Sequence, residues 1–196
     1  MSENYLVFTG RPNAGKSSVI KAVTDLKVII GKDPGTTSRI ELYKIAPSLI
    51  LADMPGYGRS LRASHNIEEQ IKDRILEFLE EKARNIILAV HVLNITTFIE
   101  TMSRLDKKGF VPIDVEMVHF LKRDLGIPTL VVANKIDKGG DEEIDDNLEA
   151  LKEELGPSIQ VFPVSARTGY GIGSLKEEIR HQLKEKGYKN PFELVR

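Results

Sequence analysis

Eight consecutive residues, Gly10-Arg11-Pro12-Asn13-Ala14-Gly15-Lys16-Ser17, carry the densest chemistry in the chain. They satisfy the pattern G-x-x-x-x-G-K-[ST], a loop that wraps phosphates. Glycines let the backbone approach an anion closely, so that successive N–H groups point at it. A helix starting at Lys16 adds the partial positive charge of its N-terminus. Lys16 then reaches the β- and γ-phosphates of a nucleoside triphosphate, and Ser17 sets its hydroxyl on Mg²⁺. Ser18 continues the same helix start and completes the phosphate-binding set.

Three further clusters follow strand-like segments. Asp53-Met54-Pro55-Gly56 places an acid where Mg²⁺ is held, commonly through water, and a glycine whose N–H can meet the γ-phosphate. Asn134-Lys135-Ile136-Asp137 follows Leu130-Val131-Val132-Ala133. The Asp137 carboxylate can accept two hydrogen bonds from the N1–H and 2-amino edge of guanine, and adenine offers no such pair. A buried carboxylate left unpaired is costly, so the contact discriminates strongly. Lys135 would lie along the base, and Asn134 would tie this loop to the phosphate loop. Ser165-Ala166-Arg167 follows a strand ending at Val164, with the Ala166 N–H aimed at guanine O6. Taken one at a time, each of these short patterns also reads as a polar turn. Together they select GTP over ATP.

The elements that must hold these loops are legible from periodicity. Strands are expected over Tyr5–Phe8, 40–45, 49–52, 86–93, 129–133 and 159–164. Helices are expected over 16–25, about 67–79, 115–121 ending near Gly126, 144–155 and 172–185. Alternating strands and helices predict a three-layer α/β fold. Its sheet is six-stranded and mostly parallel, with one antiparallel edge strand and helices on both faces. Such sheets bind ligands beyond the carboxyl ends of their strands, where these motifs fall. The long connection 94–112 has Ile95, Phe98, Ile99 and Met102 at spacing suited to a short packed helix. Asp106, Lys107 and Lys108 read as a solvated face.

The chain has 196 residues, 41% hydrophobic and 29% charged, enough for one domain with a full core. The net charge of −1 writes no global attraction to nucleic acid or membrane. The absence of cysteine excludes disulfides, thiolate metal sites and cysteine nucleophiles. The longest apolar run, 86–93 with His91 inside it, is too short to span a bilayer. No basic segment followed by an apolar one opens the chain, so a cytoplasmic location is expected; a monomer is the expected state.

With the motifs placed, the chain resembles the translation-factor-class P-loop GTPases over nearly its whole length. Within them it is similar to the EngB-type (YihA-type) ribosome-biogenesis GTPases, particularly archaeal ones. The residues that carry this are Gly10 to Ser18, Asp33-Pro34-Gly35-Thr36-Thr37-Ser38-Arg39 and Asp53-Met54-Pro55-Gly56-Tyr57-Gly58. The resemblance implies one GTPase (G) domain over 1–196, with switch I at about 28–39 and switch II at about 54–66. It assigns Thr37 to Mg²⁺ and the γ-phosphate, beside Gly35 and Thr36. Lys16, Thr37 and Gly56 become the catalytic group, with Ser17, Thr37 and Asp53 as the Mg²⁺ set.

The same resemblance implies slow hydrolysis of GTP to GDP, a switch acting in large-subunit assembly, and a ribosomal subunit or rRNA as partner. Tyr57 stands where Ras-like enzymes place a water-orienting glutamine. Related GTPases with a hydrophobic residue there often use K⁺ instead, held partly by a P-loop asparagine, which Asn13 matches, so K⁺ stimulation is an expectation. Lys27, Lys32, Arg39, Lys44, Arg59 and Arg62 outnumber Asp33 and Glu41 around the switches and fit an RNA-facing patch as well as ordinary solvated charge. Two alternatives stay open: a GTPase of the same fold serving another process, and a GTP-dependent interaction module with negligible turnover.

Overall fold

The structure, a computed structural model, describes residues 3–26, 39–57 and 65–195, with only the helical backbone described for 65–68. Its centre is a six-stranded sheet. The strands are β1 (Asn4–Gly10), β2 (Glu41–Ala46), β3 (Leu49–Asp53), β4 (Ile86–Asn94), β5 (Thr129–Asn134) and β6 (Gln160–Val164), ordered β2-β3-β1-β4-β5-β6. Only the β2–β3 hairpin is antiparallel, and the other neighbouring pairs run parallel. This is the sheet expected from the alternation of elements.

Why the strands form is visible in their alternation. In β1, Leu6 and Phe8 face one side of the sheet, while Tyr5 and Val7 face the other. On the first side lie α1 (Lys16–Thr24) and α6 (Ile172–Glu185), which bury Val19, Ile20 and Val23, and Leu175, Ile179 and Leu183. On the second side lie α2 (His65–Lys82), α3 (Phe98–Asp106), α4 (Ile113–His119) and α5 (Asp141–Leu155). There Ile75 and Leu79 of α2 and Met117 of α4 pack beneath β1 and β3. Phe98, Val115, Leu148 and Leu151 pack beneath β4 and β5. Both faces being covered explains why the central strands read as unbroken apolar runs. Pro163 is accommodated because β6 is an edge strand and pairs with β5 alone.

The connection after β4 folds as anticipated: a 3₁₀ turn at Ile95–Thr97 leads into α3, with Ile95 and Phe98 buried. Asp106, Lys107 and Lys108 are exposed. Beyond α4 the helix widens into a π-turn over Phe120–Asp124 and stops at Gly126, at φ +67°, ahead of Pro128. The C-terminal tail, unread in the sequence, packs against the hairpin: Leu194 N–H donates to the Ile45 carbonyl at 3.0 Å, and Tyr188 OH to the Ser48 carbonyl at 3.1 Å. Among the described residues, no helix is long and apolar enough to cross a membrane.

Candidate functional site

The carboxyl ends of β1, β3, β4 and β5, with the turn after β6, bring the sequence motifs to one edge of the sheet. The loop from Gly10 to Gly15 follows β1 and precedes α1. Its turns need unusual backbone: Gly10 has φ +151°, Asn13 +64° and Gly15 +90°. A Cβ on Gly10 would stand 2.2 Å from the Val92 carbonyl oxygen of β4, so only glycine fits. Helix α1 starts at Lys16 with no side-chain cap and no acid in its first turn. Its first N–H groups are thus left for an external anion. By contrast α5 begins with Asp141, Glu142 and Glu143, which satisfy the helix charge internally.

Lys16 Nζ, at the head of α1, is ion-paired with Asp53 Oδ1 at the end of β3. Both residues are buried. Burial pushes the Asp53 carboxyl above its ordinary range, the Lys16 ammonium pulls it back, and Glu41 adds to the rise. The net direction is upward, because burial outweighs the ammonium paired with it. Gly56 lies against the phosphate loop: a Cβ there would come within 2.8 Å of the Pro12 nitrogen.

Asn134, at the end of β5, is 3% exposed and holds two loops together. Its Nδ2 donates to the Ala14 carbonyl at 2.9 Å, and its Oδ1 accepts from the Ala166 N–H at 3.1 Å. The tie between base loop and phosphate loop expected of Asn134 is therefore present. The Ala166 N–H is engaged here, so a contact with guanine O6 requires sharing that hydrogen. Lys135, at φ +72°, reaches back so that its Nζ donates to the Asn13 carbonyl.

Asp137 accepts from Ser165 Oγ at 2.6 Å on one oxygen and from Arg167 Nε at 2.7 Å on the other. The Ser165 hydroxyl is the main reason its carboxyl sits below the usual range. Arg167 lowers it further, and partial burial opposes both. A carboxylate has about four acceptor positions. Two remain, which matches the two donors on the Watson–Crick edge of guanine. The Arg167 side chain is 74% exposed, so its bond to Asp137 is made at the surface.

Gly35, Thr36, Thr37 and most of switch I, together with 58–64 of switch II, lie outside the described residues, as do Lys27, Lys32, Asp33, Arg59 and Arg62. Arg39 and Lys44 are described and exposed.

Sequence reasoning missed a buried polar cluster beneath the phosphate loop. Thr9 Oγ1 lies 2.9 Å from His91 Nδ1, and Tyr57 OH lies 3.4 Å from the same nitrogen. His91 Nε2 is 3.1 Å from Asp114 Oδ1, whose other oxygen is 3.8 Å from Arg11 Nη1. The available signal was a histidine inside the most apolar strand.

A family model described as 50S ribosome-binding GTPase matches residues 5–135. A probable GTP-binding protein EngB from Methanopyrus kandleri is 38% identical, over 93% of this chain and 94% of that protein. Its counterpart from Pyrococcus horikoshii is 39% identical, over 92% and 84%. The crystal structure of a probable GTP-binding protein engB superposes with a TM-score of 0.81 at 36% identity, over 92% of this chain and 99% of that one. Era, solved with MgGDPNP and nucleotides 1506-1542 of 16S ribosomal RNA, superposes with a TM-score of 0.63 at 25% identity, over 91% of this chain and 56% of that one. By this family match and these relatives, the chain belongs to the EngB family of GTPases, which bind and hydrolyse GTP.

Proposed function

We propose that the protein is a Mg²⁺-dependent switch in assembly of the large ribosomal subunit, cycling between GTP and GDP. One observation carries the site assignment: the single buried side chain of Asn134 bonds both the phosphate loop at Ala14 and the base loop at Ala166. A nucleotide lying across them would have its phosphates at the α1 N-terminus and its base at Asp137. The Asp53–Lys16 pair fits a magnesium nucleotide, since Asp53 sits where its charge must be balanced by a cation. Among the described residues no cluster of three or more His, Cys, Asp or Glu side chains could hold a metal. Mg²⁺ suits such a site because it retains water and takes few protein ligands. Ser17 and Asp53, with Thr37 of switch I, are the assigned ligands. When bound, the ion would neutralise charge developing on the phosphates.

Lys16, the α1 N–H groups and Gly56 would position the γ-phosphate and stabilise its charge. Tyr57 is 3% exposed and turned into the His91 cluster, so its side chain does not orient the attacking water. That supports K⁺, held in part by Asn13, as the source of the missing stabilisation. Single-turnover GTP hydrolysis in KCl is then faster than in NaCl at equal ionic strength, and Asn13→Ala removes the difference. Equal rates in both salts reject the K⁺ assignment.

The ribosomal half follows from membership of a family described as 50S ribosome-binding. The exposed Arg39 lies just ahead of β2 on the switch I side, and the exposed Lys44 lies nearer the hairpin turn; both suit contact with an RNA backbone. Co-sedimentation with purified subunits tests it. Binding to the large subunit with a non-hydrolysable GTP analogue and release with GDP is the expected result. Nucleotide-independent binding, or none, rejects the switch.

A further inference from the structure

The cluster beneath the phosphate loop joins two of the machine's parts. Thr9 and His91 are register partners on the adjacent strands β1 and β4, so their side chains point to the same face. His91 is fully buried, and Asp114, in the first turn of α4, nearly so. The His91 Nε2 faces a carboxylate and therefore carries the hydrogen. That leaves Nδ1 with a single lone pair facing two hydroxyls, Thr9 at 2.9 Å and Tyr57 at 3.4 Å. Burial, aided by the charge of Asp114, pushes the Tyr57 phenol well above the usual tyrosine range, so it remains a hydroxyl donor. Tyr57 directly follows Gly56, whose backbone rests on Pro12 of the phosphate loop. Where the Tyr57 ring is seated therefore decides where the Gly56 N–H stands.

We infer that His91 and Asp114 are positioning residues for GTP hydrolysis, which seat Tyr57, and through it Gly56, against the phosphate loop by one hydrogen-bond acceptor shared with Thr9. The seat is weak by construction. Thr9 holds the shorter contact, and the Tyr57 hydroxyl takes what remains of one lone pair. The phenol ring itself packs in the apolar cluster with Met54, Ile75 and Met117. Asp114 fixes the imidazole and also faces Arg11, so α4 is tied to both the seat and the loop. This inference rests on Gly56 being a γ-phosphate contact.

The test compares single-turnover GTP hydrolysis, GDP affinity and melting temperature in Tyr57→Phe, Thr9→Val, His91→Phe and Lys16→Ala. Tyr57→Phe removes one hydroxyl and is expected to slow hydrolysis about three- to tenfold, the worth of one buried hydrogen bond. GDP affinity stays unchanged, since GDP makes no demand on Gly56. Thr9→Val keeps the volume and frees the acceptor for Tyr57, so hydrolysis rises, and adding Tyr57→Phe cancels the gain. His91→Phe matches Tyr57→Phe in rate, and combining the two adds nothing further. Should His91→Phe fail to fold, the two hydroxyl variants decide alone. Rates that move in the same direction in Tyr57→Phe and Thr9→Val overturn the seat, as do lowered melting temperatures with unchanged rates. Lys16→Ala separates the levels. If it still hydrolyses GTP, the phosphate-loop assignment itself is wrong. If it is inactive while Tyr57→Phe matches the parent, only the seat is lost.

Discussion

Asp137 shows how much one side chain can decide. Its two oxygens already accept from Ser165 and Arg167, and its two remaining acceptor positions complement guanine. Asp137→Asn replaces one acceptor oxygen with a donor. GTP affinity should fall about a hundredfold, from the loss of one charge-assisted bond and of the charge behind the other, while xanthosine triphosphate affinity rises. Titration calorimetry checks this, and undiminished GTP binding refutes the base assignment. The same residue sets a pH dependence. Its folded-state pKa is lowered, so the ionised, guanine-accepting form persists through the ordinary carboxylate range and is lost only as pH falls below it. Ser165→Ala removes the main cause of that lowering. Loss of GDP affinity on acidification should then begin at higher pH than in the parent. Identical acid profiles would show that Ser165 does not hold the charge.

At the scale of elements, the strand ends and turns carry the strain that shapes the site. Gly10→Ala would drive a Cβ into the Val92 carbonyl of β4, a backbone atom that cannot move aside. It should destabilise the fold by more than about 1 kcal/mol and abolish nucleotide binding. Ser48 is the opposite case. It closes the β2–β3 hairpin at φ +57°, and only its carbonyl is used, by Asn4 N–H and Tyr188 OH. Ser48→Gly keeps those bonds and relieves a left-handed conformation that costs roughly 1 kcal/mol. Denaturant unfolding should show a gain in stability up to that size, and a loss would refute it. The strands and α1 were legible from periodicity and from the phosphate-loop pattern. The π-turn after α4 was not, because Phe120 to Asp124 shows ordinary helical spacing.

At the scale of the whole molecule, the nucleotide acts as a structural member. Its loops come from β1, β3, β5 and the turn after β6, which meet only at the sheet's carboxyl edge. Ligand that binds only the folded state stabilises by about 2.7 kcal/mol at a hundredfold excess over Kd. For a domain of this size GDP should raise the melting temperature by roughly 5–10 °C. Asn134→Ala leaves the Ala14 carbonyl and Ala166 N–H without their bridge, and should shrink that rise. An unchanged rise would mean that the two loops bind nucleotide independently.

The sequence by itself determined the chemistry of the loops and the order of the elements. Phosphate wrapping, guanine selection and the alternation of strands and helices all depend on residue types at short, fixed spacings. What only the tertiary structure decided are the meetings between segments far apart in the chain. Arg167 covers Asp137, and Thr9, Tyr57, His91, Asp114 and Arg11 gather under the phosphate loop. No local pattern encodes these, because they depend on parallel register and on which face each strand residue presents. Tyr57 illustrates the difference: its position after Gly56 marks a missing glutamine, and only the packing against His91 reveals where its side chain goes.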